Sequence, residues 1–74
     1  MFESKTVAEL VQIAAAGGGF RMKAGSRDTQ ELVRIAAAAA SGSAQVCFTG
    51  LGARSLQELV QIGAAGNGKV VFED

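Results

Sequence analysis

The chain has 74 residues, 49% of them apolar, and its seven basic and seven acidic side chains sum to a formal net charge of zero. That length reads as one domain, residues 1–74, burying only about 60% of its unfolded surface. A neutral chain with 5% aromatic residues, no Trp and no Tyr lacks the basic, stacking surface of a dedicated nucleic-acid binder, and its thin core is expected to need close packing or a partner.

The opening stretch "MFESKTVAELVQIAAAGGGF" carries Glu3 and Glu9 and has no basic segment followed by an apolar one, so it does not read as a signal peptide. The longest apolar run, Ile35 to Ala40, falls far short of the roughly 20 residues that span a bilayer. Cys47 has no second cysteine to pair with, in keeping with a reducing compartment. A soluble, cytoplasmic chain without membrane contact is expected.

Thr6 stands three residues before Glu9, the spacing of a capping box. There the hydroxyl accepts from a first-turn amide and the carboxylate accepts from the cap's own N–H. Val7, Leu10, Val11 and Ala14 then fall on one helical face, with Ile13 widening the stripe and Gln12 on the wet side. Gly17 follows where a left-handed residue would end the helix. Next, "FRMKA" at 20–24 alternates with period two, which predicts a strand with Phe20, Met22 and Ala24 on one face and Arg21 and Lys23 on the other.

The same phrase then returns. Asp28 precedes Glu31 by three, Leu32, Val33, Ile35 and Ala36 form the stripe, Gly42 is the terminator, and "QVCFT" at 45–49 is the strand. In the third copy Ser55 and Glu58 form the box, Leu56, Leu59, Val60 and Gly63 the stripe with Ile62 beside it, Gly66 the terminator and "KVVF" at 69–72 the strand. Repeats of roughly 20 to 30 residues mark stacked units, each unable to bury its apolar face alone. The units run at about 4–25, 26–50 and 53–74. Leucine-rich repeats share the unit length, but their Leu and Asn pattern is missing here.

Strands joined through a helix pair in parallel by a right-handed crossover. The expected fold is therefore α/β: three helix–strand repeats in a small two-layer domain, with a three-stranded, mostly parallel sheet in the order 1, 2, 3 and all helices on one face. An exchanged or reversed edge strand is the alternative topology.

Catalysis has little to work with. There is no His and no Tyr, and the one Cys has no evident base, so neither an enzyme, nor a cofactor, nor a metal site is expected. The three capping boxes account for Glu9, Glu31 and Glu58. The sharpest motif is "TGLGARS", Thr49 to Ser55, which follows a strand and opens a helix. Gly50 and Gly52 match the first two glycines of a dinucleotide fingerprint, and Glu73 or Asp74 lies about 20 residues on, where a ribose partner would sit. Gly50, Gly52, Arg54 and Ser55 form a candidate anion site at a helix N-terminus, although Ser55 replaces the third glycine and already serves as a cap.

The uncovered sheet face is the second candidate. Arg21, Cys47 and Val71 form one cross-strand row and Lys23, Thr49 and Glu73 the next. Parallel sheets are usually covered on both faces, so this one invites a partner, unless the Arg and Lys stems simply shade it. The first and last strands are also sheet edges with unpaired backbone groups. The reading is a small non-enzymatic interaction or self-assembling module, a homo-oligomer or a partner of another protein. The alternative is a nucleotide- or anion-binding protein using the Gly50–Ser55 loop.

Overall fold

Each of the three boxes starts a helix in the computed structural model, which describes residues 5–73. Those residues form α1 (Val7–Ala15), β1 (Phe20–Lys23), α2 (Thr29–Gly42), β2 (Val46–Thr49), α3 (Leu56–Gly66) and β3 (Val70–Glu73). The start of the first unit at residue 4, and Asp74, lie outside the described residues. At α1 the Thr6 Oγ1 accepts from the Glu9 amide at 3.2 Å, and the Glu9 carboxylate accepts from the Thr6 amide at 2.9 Å. Ser55 and Glu58 repeat the exchange at 3.3 and 3.1 Å, and Glu31 accepts from the Asp28 amide at 3.2 Å. These bonds satisfy amides that an isolated helix start leaves without partners.

The strands pair in parallel in the order β1-β2-β3, with no reversed edge. Phe20, Val46 and Val70 share one row, Arg21, Cys47 and Val71 the next, then Met22, Phe48 and Phe72, then Lys23, Thr49 and Glu73. The period-two pattern sets this register, because a slip of one residue would turn Phe48 and Met22 out of the core. Between sheet and helices lies one apolar cluster that includes Leu10, Met22, Leu32, Ile35, Phe48 and Ile62.

Two expectations need correcting. Of the three glycines expected in left-handed geometry, only Gly17 has it, with φ of 94°. Gly42 and Gly66 are the last helical residues, and the left-handed positions that follow are Ser43 and Asn67. A Cβ on Gly42 would run into the carbonyl oxygens of Ala14 and Ala15, and one on Gly66 into the Val70 side chain. These two glycines exist for close approach of α2 to α1 and of α3 to β3. Distance across the fold requires them, and a local terminator does not.

The second correction concerns α3. Its expected buried stripe is only partly covered: Leu59 and Gly63 are half-buried, while Leu56 and Val60 are 78% and 59% exposed. In the matching stripes of α1 and α2, Leu10, Ala14, Leu32 and Ala36 are buried and Val7, Val11 and Val33 half-buried; each of these helices has a following helix packed beside it, and no helix follows α3 among the described residues. Ile62, on the side facing α2, is fully buried instead.

Gly42→Ala gives a signed test of the close approach. At an unconstrained helical site the change gains roughly 0.5–1 kcal/mol. Here the methyl meets backbone carbonyls, and we expect a loss of about 1–3 kcal/mol in denaturant unfolding.

Candidate functional site

The loop after β2 places the candidate anion residues as the sequence ordered them, with Gly50 at a φ of 81° turning the chain toward α3. Its arginine, however, points back into the molecule. Arg54 Nη1 donates to Thr29 Oγ1 at 2.8 Å, and Nη2 donates to the carbonyls of Gly25, at 3.2 Å, and of Arg27. Thr29 Oγ1 in turn donates to Glu58 Oε2 at 2.9 Å. The guanidinium thus ties the loop before α3 to the loop before α2, and its planar fork suits several oxygen acceptors at once. Ser55 Oγ and the Ser55 amide are engaged with Glu58. Of the two candidate ribose partners, Glu73 pairs with Arg21, and Asp74 lies outside the described residues.

The hydrogen bonds also act on the carboxylates. The Thr29 hydroxyl, followed by the Ser55 amide, holds the Glu58 carboxyl below its ordinary value of 4.5. Glu9 is likewise lowered, chiefly by the Thr6 amide.

The open sheet face brings together all six residues expected there. Arg21 Nη2 reaches Glu73 Oε1 at 2.5 Å, diagonally over the central strand. Both partners are well exposed, so the pair contributes little to stability. Thr49 Oγ1 donates to the Met22 carbonyl at 3.2 Å, which uses the hydroxyl within the sheet. Cys47 lies half-buried between these groups. Desolvation, followed by the Glu73 carboxylate, pushes its thiol pKa up, so the sulfur is protonated and a poor nucleophile at neutral pH. Charged and polar side chains occupy most of this face, and only Val71 is an exposed large apolar residue on it.

A surface that sequence reasoning missed lies at the end of the third unit. Leu56 and Val60 of α3 are exposed there, Val60 in a groove with Gln57, Gln61 and Ala64, and Phe72 of β3 is 39% exposed although Met22 and Phe48 in the same row are 1% and 0% exposed. At Phe72 a notch of about 190 Å³ is lined also by Leu51, Gly52, Leu59 and Glu73. The signal was present in the repeat itself: a unit's apolar stripe packs on its successor, so a unit without a successor among the described residues shows its own.

Among the described residues no helix is long and apolar enough to cross a membrane, and no group of three His, Cys, Asp or Glu could hold a metal ion. Comparison with protein-family models, curated proteins and solved structures finds no match.

Arg54→Ala removes hydrogen bonds that join two units and should cost about 1–3 kcal/mol in chemical denaturation. In calorimetric titration, phosphate and nucleotides should show no binding to the unmodified protein that Arg54→Ala abolishes.

Acidification should also expose the capping carboxylates. The pKa values of Glu9 and Glu58 are lower in the folded chain than the ordinary 4.5, so their stabilisation is complete above that value and is lost as pH falls through the folded ones. Thermal melts between about pH 6 and pH 3 should therefore show falling stability on the acid side. Replacing Glu9 and Glu58 by Gln should flatten that fall.

Proposed function

We propose that the protein is a small, non-enzymatic interaction module of α/β repeats that self-associates through the apolar end of its third unit. The observation that carries this reading is the exposure of Leu56, Val60 and Phe72 in the third unit, where the matching Val11 and Val33 are half-buried and the matching Met22 and Phe48 are buried. Exposed clusters of large apolar side chains mark interaction surfaces, whereas scattered ones do not. The chain holds no histidine, and its one thiol is pushed toward the protonated form, so the surface offers shape and burial where an enzyme would offer tuned acid and base groups.

The end surface is preferred over the other two candidates on physical grounds. The Gly50–Ser55 loop already directs the Arg54 guanidinium to Thr29 Oγ1 and two carbonyls, and an incoming anion would have to displace them. On the open sheet face, a partner would have to desolvate the Arg21–Glu73 pair for the sake of one half-buried thiol and Val71, a costly exchange.

Absolute mass by light scattering behind size exclusion, over a wide dilution series, tests this reading. The unmodified chain should exceed the mass of one copy at high concentration, and Leu56→Glu with Val60→Glu should remain a monomer. Both substituted sites are exposed, and an acid in the first turn of α3 suits the helix dipole, so the variant should stay folded. Cys47→Lys with Val71→Glu should leave the association intact. The reverse pattern moves the interface to the open face, and a monomer at every concentration defeats the reading.

A further inference from the structure

The repeat supplies its own test of what fits the exposed end. Aligning the units on their caps places Leu10, Leu32 and Leu59 at one position: the first two are fully buried and the third is half-buried. Ala14, Ala36 and Gly63 behave the same way, as do Met22, Phe48 and Phe72 on the strands. These positions face the following unit. Ile13, Ile35 and Ile62 show the opposite order, with Ile13 half-buried and the other two fully buried. That position faces the preceding unit. Every unit therefore has a front and a back, and the described chain leaves open the front of the third unit and the back of the first.

A polar contact repeats with the same polarity. The residue just before each cap is basic: Lys5, Arg27 and Arg54. Arg27 Nη2 donates to the Lys5 carbonyl at 2.6 Å, and Arg54 Nη2 donates to the Arg27 carbonyl. Each cation thus reaches back to the backbone of its own repeat position in the preceding unit. The next acceptor in this series is the Arg54 carbonyl, and the cation that stands first in the series is Lys5.

We infer that a second copy of this chain docks head to tail, the back of its first unit on the front of the third. The inference rests on the interaction reading above and names its partner. In the contact, Ile13 of the incoming copy enters the notch beside Leu51, Leu59 and Phe72, as Ile35 and Ile62 are buried within the chain. The notch holds about 190 Å³, several times the roughly 30 Å³ of a water molecule, which is room for a side chain. Lys5 of the incoming copy donates to the Arg54 carbonyl. Two fronts placed together would bring Val60 and Phe72 against their own copies and leave the Lys5 position with no acceptor. The contact is heterologous, so chains add until the rotation closes a ring or a filament grows.

Single-ended variants test the geometry. Leu56→Glu with Val60→Glu closes the front and leaves the back intact, while Ile13→Glu closes the back and leaves the front intact. Head-to-tail docking requires that each variant alone be monomeric and that an equimolar mixture form a one-to-one dimer. Lys5→Glu, at a residue outside the buried apolar cluster, covers the case in which Ile13→Glu fails to fold by circular dichroism. It should weaken self-association on the order of tenfold, because a charge-assisted bond is replaced by a carboxylate facing a carbonyl. If the back-closed variants still associate while the front-closed one does not, the contact joins two fronts: the head-to-tail inference falls and the interaction reading stands. A mixture that stays monomeric also overturns the inference. An unmodified chain that is monomeric throughout overturns both.

Discussion

Lateral contact between neighbouring helix–strand units is the constraint on which everything else in this molecule depends. A helix of nine to fourteen residues laid on a four-residue strand cannot cover both of its flanks. Leu10 and Ala14 are sealed only because α2 lies beside α1, and Ile62 only because α3 lies beside α2. Stability in such a stack is a sum of unit terms and nearest-neighbour interfaces. The central unit, flanked on both sides, is accordingly the one whose helix buries Leu32, Ile35, Ala36 and Ala39 together.

Small side chains make these interfaces possible. Alanines share the core with the Leu and Ile side chains, and glycines let backbones come close, the contact of Gly42 with the end of α1 being the extreme case. Close approach gains dispersion along the whole helix flank but leaves no slack, since packed interiors tolerate few added methylenes. The thin core implied by the scarcity of aromatics is thus offset by tight spacing.

Polar groups reinforce the same lateral order. Glu58 caps its own helix and also accepts from Thr29 at the start of α2, while Arg54 holds that threonine and the carbonyls beside it. Arg54, the basic residue of the candidate anion loop, and Glu58, a capping carboxylate, thereby also join neighbouring units. The open sheet face carries an exposed ion pair over a protected thiol, and the apolar surface lies at the end of the stack.

The element order, the three helix starts and the strand register were legible in the chain, because capping boxes, period-two alternation and repeat spacing are local patterns read within a few residues of one another. Nothing local distinguished the stripe of α3 from those of α1 and α2: Leu56 and Val60 look like core residues, and only the lack of a neighbouring helix among the described residues exposes them. The roles of Gly42 and Arg54 were hidden for the same reason. Gly42 answers to carbonyls of α1, and Arg54 to a threonine and carbonyls of the preceding unit, each more than twenty residues away in sequence. The sequence by itself determined what each unit is. Tertiary structure alone decided which flank of each unit is covered, because burial is a property of neighbours in space.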